Sequence, residues 1–185
     1  MCGRKWSIFT KGWRKVAVEG ENSDQVGSAL EPPRCGSLEA TIDDKSRLRI
    51  PAQYVKYINS IGDTTVFVTC VNRETARVYP MSVWRRNEAM FRETPTTPQE
   101  VAVRTAFEKL AQYTGAESDI DGNGRVLLPQ KLREMMGITP KSSAHMTFFK
   151  GAFDLETDAV VQRKLNASMD LLVDGLPLLH ASGIR

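Results

Sequence analysis

The sequence contains few of the residues that catalytic and metal sites usually require. Among its 185 residues are two histidines, His145 and His180, and three cysteines, Cys2, Cys35 and Cys70. The cysteines show no C-x-x-C spacing and the histidines lie far apart, so neither type offers a zinc site. An odd cysteine count also favours reduced thiols over a disulfide framework. With no Gly-rich phosphate loop and no nucleophile elbow, the sequence predicts no enzyme, no cofactor, no bound metal and no small-molecule substrate.

Long hydrophobic runs and a strong charge of one sign are also missing. No apolar stretch approaches the roughly 20 residues of a membrane span, and the first residues lack the apolar segment of a signal peptide. The formal net charge is +3; residues 1–36 hold six Lys and Arg against four acids, and the remainder holds 19 against 18. A nucleic acid would therefore be bound through local basic loops, not through a globally positive field. We expect a cytoplasmic protein with no membrane partner.

An internal repeat organises the chain. The segment D-D-K-S-R-L-R-I-P at 43–51 returns 78 positions later as D-G-N-G-R-V-L-L-P at 121–129. In each copy an apolar run reaches an Asp, which can accept hydrogen bonds from the backbone N–H groups ahead of it and fix a tight turn. An Arg follows at the turn exit, and an apolar strand then leads into Pro, a favourable residue at the start of a helix. Each copy predicts strand, Asp-Arg loop, strand and helix.

Hydrophobic periodicity extends this pattern on both sides of each loop. The predicted strands are 37–42, 47–50, 64–71, 76–79, 116–120, 126–128, 144–149 and 153–155. The predicted helices are 52–61, 82–92, 97–112, 130–136 and 157–172, and Val103, Phe107 and Leu110 are expected to face inward. The chain accordingly divides into an extension (1–36), a first repeat (37–92), a linker helix (93–114), a second repeat (115–172) and an apolar tail (173–185).

Residues 1–36 have the composition of a disordered extension. Bases interleave with aromatic residues in the first fifteen positions, and a Gly-, Ser-, Glu- and Pro-rich stretch without periodicity follows. Two interpretations stay open. The segment is either a tail, including one that arises from an early start codon, or a basic-aromatic arm that adds non-specific phosphate contacts.

The second loop also matches the beginning of a calcium-binding EF-hand. Asp119, Asp121, Asn123 and Gly124 fit the first six positions, but the twelfth position, which requires a bidentate acid, is Gln130. Because an amide oxygen cannot replace a bidentate carboxylate, we interpret this loop as a turn and not as a metal site.

The arginines of the two loops allow two interpretations. Arg47 and Arg125 can simply pair with the Asp of their own loop, or they can face a ligand. Lys45, Arg47 and Arg49 alternate, so in an extended chain they can share one side of the strand. A guanidinium presents a planar fork that fits guanine or a phosphate, and a β-ribbon can enter the major groove. The sequence thus predicts a DNA-binding surface of Lys45, Arg47, Arg49 and Arg125.

The first loop is expected to be the main reader, because residues 43–56 hold four bases against two acids and residues 119–133 hold three against two. The residues expected to form the loops are Asp43, Ser46, Asp121, Asn123 and Gly124. Gly124 suits a left-handed turn position. If both loops share one geometry, Ser46 has a positive φ as well, at a cost of about 1 kcal/mol; a negative φ would mean that the loops have diverged.

These motifs resemble the MraZ family, the two-copy member of the AbrB-like, swapped-hairpin group of transcription factors. The resemblance covers about residues 34–165 and includes the Tyr-Pro-x-x-x-Trp stretch at 79–84 between the copies, although Ser46 stands where the family usually has Gly. It implies an α+β fold in which two tandem β-β-α-β units form one pseudo-symmetric swapped-hairpin barrel with flanking helices.

The resemblance also implies a function. It is that of a nucleoid-associated, sequence-specific DNA-binding regulator of a cell-division and cell-wall gene cluster, which binds short G-rich direct repeats in its own promoter. The implied partners are double-stranded DNA and further copies of the chain in a ring. The competing class is an oligomeric scaffold protein whose loops serve assembly and not DNA binding.

Overall fold

The computed structural model describes residues 32–33, 36–93 and 97–183. The extension predicted at 1–36 therefore lies almost entirely outside the described residues, as do residues 94–96 of the linker. Within the described ranges the chain forms eight strands and five helices, an α+β arrangement. The strands are β1 (Ser37–Ile42), β2 (Arg47–Arg49), β3 (Thr65–Cys70), β4 (Thr75–Pro80), β5 (Ala116–Asp119), β6 (Arg125–Leu127), β7 (Ser143–Phe149) and β8 (Ala152–Thr157). The helices are α1 (Ala52–Ser60), α2 (Met81–Phe91), α3 (Pro98–Thr114), α4 (Gln130–Met136) and α5 (Asp158–Ala181).

All eight strands belong to one antiparallel sheet in the order β5-β3-β4-β8-β7-β1-β2-β6. The two end strands approach each other, and the backbone N–H of Leu127 on β6 donates to Ser118 Oγ on β5 at 3.0 Å. The sheet is therefore a nearly closed barrel. Strands of the two sequence copies interleave, since β5 pairs with β3, β4 with β8, β7 with β1, and β2 with β6. Four of the seven strand pairings therefore join strands of different copies.

The register of the sheet follows the sequence repeat. Thr41 lies opposite Ser143 in the β1–β7 pair, and the residues 78 positions away from each, Asp119 and Thr65, lie opposite each other in the β5–β3 pair. The hydrogen bond from Ile42 N–H to the Ser142 carbonyl has its counterpart between residues 120 and 64, at 2.9 and 3.0 Å. The two halves are thus related by an approximate two-fold axis.

The core lies inside the barrel and is completed by α1 and α4. These helices begin directly after Pro51 and Pro129, and each inserts a large side chain, Tyr54 and Leu132, that is fully buried. Tyr54 packs against Phe153 with ring centroids 4.5 Å apart. Because side chains alternate along strands, the inward residues of every strand except β5 reach this one cluster.

A second apolar cluster joins α2 and α3 to the outside of β3. The ring of Trp84 stacks on Phe67 with centroids 3.9 Å apart, and Phe107 of α3 lies beside it. The helix start predicted from the capping box is confirmed, because Thr97 Oγ1 accepts the N–H of Glu100 at 3.1 Å. The expectation that Val103 faces inward is wrong. Its side chain is 63% exposed, because only the Phe107 side of α3 meets the cluster.

The end of the last helix also differs from the expectation. The sequence predicts a helix to about 172 and a broken tail beyond it, whereas α5 continues through Gly175 and Pro177 to Ala181. A proline inside a helix removes one N–H donor, and a glycine has low helix propensity. The strong helix-forming leucines around both residues outweigh these local costs and carry the helix onward. Of the helices that the structure describes, none combines the length and the apolar character needed to cross a membrane.

Gly115 gives a test of the packing between α3 and the sheet. A Cβ added there would overlap the backbone oxygen of Ala111 and the ring of Phe67, whereas a Cβ at Gly122 would meet no atom within 4 Å. We expect Gly115→Ala to lower the free energy of unfolding by about 1–3 kcal/mol, since backbone and a stacked ring must move. Gly122→Ala is the control and should change it by about 0.5 kcal/mol or less. Equal unfolding midpoints of the two variants in urea would contradict this account.

Candidate nucleic-acid interface

The first Asp-Arg loop joins β1 to β2 through a hydrogen-bonded turn. One carboxylate oxygen of Asp43, Oδ1, accepts the backbone N–H groups of Lys45 and Arg47, both at 2.9 Å. The other, Oδ2, accepts the Arg47 guanidinium, with Nε at 2.7 Å and Nη2 at 2.7 Å. The turn closes where the N–H of Ser46 donates to the Asp43 carbonyl at 3.1 Å. A single carboxylate thus sets both the turn and the direction of the arginine.

The second loop, between β5 and β6, repeats the backbone hydrogen bonds of the first loop and the contact of the arginine Nε with the carboxylate. Asp121 Oδ1 accepts the N–H groups of Asn123 and Arg125 at 2.9 and 3.0 Å, and Oδ2 accepts Arg125 Nε at 2.8 Å. The N–H of Gly124 donates to the Asp121 carbonyl at 2.8 Å. The structure places strands, and not helices, on both sides of this loop.

The backbone dihedral at Ser46 shows that the two loops share one geometry. Its φ is 61°, and that of Gly124 is 72°. The Ser46 carbonyl accepts the N–H of Leu128, and the Gly124 carbonyl accepts the N–H of Ile50, at 3.2 and 2.9 Å. The backbone of Ser46 therefore holds the end of β6, and the backbone of Gly124 holds the end of β2. This link explains why Ser46 keeps a conformation that a side chain disfavours.

The two loops lie side by side, and their charged side chains form an Asp-Arg quartet of Asp43, Arg47, Asp121 and Arg125. Arg47 Nη1 lies 3.8 Å from Asp121 Oδ2, and Arg125 Nη1 lies 3.9 Å from Asp43 Oδ2. From the sequence, only pairing within a loop was expected, and these reciprocal contacts were missed. The feature of the sequence that could have indicated these contacts is the constant offset of 78 positions, because equivalent residues of a repeat can face each other across a two-fold axis. Within the quartet, two positive and two negative charges balance.

Hydrogen bonding shifts the pKa of both carboxylates. The backbone N–H of Arg47 contributes most to lowering the pKa of Asp43 below its usual value, although partial desolvation opposes it. For Asp121, desolvation acts to raise the pKa, but the backbone hydrogen bonds from Arg125 and Asn123 outweigh it, and the pKa is lowered. Both groups therefore favour the charged form that the arginines require.

Strands β2 and β6 pair with each other and present one outer face beside the loops. Arg47 lies opposite Leu127 in this pair, and Arg49 lies opposite Arg125. All four side chains share the outer face, because strand side chains alternate and the residues between them are buried. Those buried residues are Leu48 and Val126. Leu127 is 57% exposed and was not among the residues singled out from the sequence.

The predicted site residues are distributed over this face and its edge. Arg47, Arg49 and Arg125 come together, while Lys45 lies in the turn before β2 and not on the strand. Lys45 and Arg49 are exposed, and among the described residues neither side chain makes an ion pair or a hydrogen bond. Of the four predicted site residues, Lys45 and Arg49 are therefore those whose positive charge no carboxylate balances.

The carboxylates of the second loop are already engaged by protein groups. Asp119 Oδ1 accepts the Thr65 hydroxyl at 2.9 Å, and both oxygens of Asp121 accept hydrogen bonds within the loop. Over the described part of the chain, no group of three or more His, Cys, Asp or Glu side chains is arranged to hold a metal ion.

Comparison with known proteins connects this arrangement to one family. The chain is 36% identical over 100 residues to a protein of Koribacter versatilis, covering 54% of this chain and 66% of that protein. It is 30% identical over 104 residues to one of Acidobacterium capsulatum, covering 56% and 69%. A protein of Shewanella denitrificans is 26% identical over 139 residues, covering 74% and 88%. All three are named "Transcriptional regulator MraZ".

The chain belongs to the MraZ family. The resemblance inferred from the two Asp-Arg loops is thereby confirmed. The matched segment spans about two thirds of the length of the first two relatives. No family model matches the sequence.

The acid stability of the loops should depend on Asp43 and Asp121. Their folded-state pKa values lie below the ordinary 3.8, so the stability they contribute is present above that value and is lost as the pH falls through the lowered pKa. We expect Asp43→Asn with Asp121→Asn to reduce the decline of unfolding free energy below about pH 4. Asn keeps an oxygen for the backbone N–H groups but has no charge.

The measurement is urea unfolding at a series of pH values between neutral and strongly acidic. Asp44→Asn is the control, because this neighbouring carboxylate is exposed and makes no contact in the turn. If the unfolding free energy falls as steeply below about pH 4 in the double variant as in the native chain, the quartet does not stabilise the loops.

Proposed function

We propose that the protein is a sequence-specific, double-stranded DNA-binding transcriptional regulator that uses the Asp-x-x-x-Arg loops and the outer face of β2 and β6. One observation carries the proposal. Two identical Asp-Arg turns lie side by side at one end of the barrel, with exposed Lys45 and Arg49 beside them. The names of the relatives, which are transcriptional regulators, support it.

The quartet suggests that the four basic residues have two different roles. Lys45 and Arg49 are uncommitted and suit phosphate or guanine contacts. Arg47 and Arg125 use Nε, and Arg47 also Nη2, on their loop carboxylates. Their remaining N–H groups are available for a ligand, in an orientation that the carboxylates fix before binding. Such preorganisation lowers the entropy cost of recognition.

At the level of the fold, we propose that the interleaved strands are two tandem AbrB-like swapped hairpins. The two repeats are 37–92 and 115–172, and the segment 93–114 is the linker helix between them. Resemblance to the MraZ family further suggests the target, a cell-division and cell-wall gene cluster bound at short direct repeats in its own promoter, and an association with the nucleoid.

Binding can be tested on a fluorescent duplex from the region upstream of the gene. We expect Arg49→Ala and Arg47→Ala each to weaken binding by about 1–3 kcal/mol if they contact a base, and Lys45→Ala to weaken binding to all sequences and reduce the salt dependence. The control is Lys109→Ala, which removes an exposed base on α3. Circular dichroism checks that the variants fold. Unchanged affinity in folded Arg49→Ala and Arg47→Ala would remove this face from the site.

A specific observation favours self-association as a second property, either in a ring that binds DNA or in a scaffold. Helix α5 has no buried residue, and half-exposed Leu165, Met169, Leu172 and Leu176 follow one another at spacings of four, three and four. Side chains at this spacing form an apolar seam along one side of α5, and two helices can pack against each other through such a seam. We therefore infer that copies of the chain associate through α5.

Light scattering coupled to size-exclusion chromatography tests this association. Leu172→Gln with Leu176→Gln should lower the molar mass, because the seam loses its apolar contacts. Val101→Gln with Val103→Gln is the matched control, since both valines are exposed on α3. An unchanged mass would mean that α5 is not the contact. If the loop variant Arg49→Ala lowered the mass instead, the scaffold interpretation would be favoured.

A further inference from the structure

The outer face of β2 and β6 departs from two-fold symmetry at one pair of equivalent positions. Residues 78 apart are equivalent, so Arg47 corresponds to Arg125, and both are arginines held by the same carboxylate contacts. Arg49 corresponds to Leu127, and both are exposed. A base is therefore replaced by an apolar side chain on an otherwise repeated surface.

Because β2 and β6 pair with each other, this difference makes the two cross-strand rows of the outer face chemically unlike. Arg49 lies directly opposite Arg125, which places two guanidinium groups in one cross-strand row, and Arg47 lies opposite Leu127 in the other row. Asp121 engages Arg125, so the charge that no carboxylate balances in the first row is that of Arg49, and this row suits an anion or an electron-rich base edge. The second row offers an apolar surface beside a guanidinium that its carboxylate already engages.

Leu127 is also held in a fixed position. Its backbone N–H donates to Ser118 Oγ at 3.0 Å, and its neighbours Val126 and Leu128 are buried in the core. The side chain therefore projects from a strand whose backbone is held on both edges, and more than half of the residue is exposed. In the major groove, the apolar group that a base presents at its edge is the 5-methyl group of thymine.

We propose that Leu127 contacts the 5-methyl group of a thymine and, with Arg49 at the equivalent position, makes the DNA-binding face read its site in one direction. This inference rests on the proposed function, because it assigns a specificity role within the same face. The Arg49–Arg125 row binds the phosphate or guanine side of the site, and the Arg47–Leu127 row binds the thymine side. A symmetric face would accept the duplex in either direction.

Replacement of thymine by deoxyuridine tests the proposal, because it removes only the methyl group. The upstream duplex is synthesised with partial replacement of dT by dU, bound and free molecules are separated, and the dU positions in each are mapped by uracil excision. For the native chain we expect one thymine position at which dU lowers affinity about fourfold, as burial of one methyl group implies. For Leu127→Ala that position should lose its sensitivity.

Two further variants separate a base contact from a change in the fold. Arg49→Ala should bind more weakly but keep the dU-sensitive position, since it leaves the apolar row intact. Leu127→Arg makes the two equivalent positions alike, and it should bind the duplex while losing the dU-sensitive position. Val103→Ala, which shortens an exposed apolar side chain on α3, should leave the native pattern unchanged.

The outcomes distinguish this inference from the proposed function. Failure of the native chain to bind any duplex would overturn both. Binding without a dU-sensitive thymine, or sensitivity that persists in Leu127→Ala, would overturn the thymine contact and leave DNA binding intact.

Discussion

The structure depends on one interaction, in which a single Asp carboxylate accepts hydrogen bonds from two backbone N–H groups and one guanidinium. It occurs at Asp43 and again at Asp121. In each loop it fixes the turn, and the turn fixes the register of the strands on either side. The carbonyl of each left-handed residue then accepts an N–H beyond the opposite loop, so the turns also join the two halves. Loss of either carboxylate charge therefore acts on the barrel as well as on the loop.

The quartet also changes how the electrostatics of the site should be understood. Counted by sequence, the first loop is rich in bases, but two of the four basic residues proposed to contact DNA, Arg47 and Arg125, are paired with carboxylates in the folded chain. Under the proposed function, Lys45 and Arg49 contribute the part of the affinity that depends on charge, whereas Arg47 and Arg125 contribute geometry. This agrees with the near-neutral charge of residues 37–185, which hold 19 Lys and Arg against 18 acids. Recognition of this kind gains more from orientation than from a positive field.

Local features of the fold could be predicted from the sequence, and non-local ones could not. The turn chemistry of Asp43 and Asp121, the helices after the two prolines and the capping residue Thr97 depend on neighbours a few positions away, and the structure has each of them. The reciprocal contacts of the quartet and the exposure of Leu127 depend on which strands meet, and a repeat offset alone does not decide that. Helix α5 shows a further limit, because propensity summed over many leucines outweighed one proline.

The two halves differ most where the barrel closes. In the first half, β1 and β2 form a backbone ladder in which Thr41 lies opposite Arg49. At the equivalent place in the second half, the structure records no such ladder between β5 and β6, and a side chain, Ser118 Oγ, takes the N–H of Leu127 instead. The residue whose backbone pairing has changed is the same one whose side chain has changed from a base to an apolar group. Since β6 remains fixed to β2 on its other edge, this opening leaves the outer face intact and exposes Leu127 at its margin. Closure of the barrel and the replacement of a base by an apolar side chain on the outer face of β2 and β6 therefore coincide at a single residue of β6.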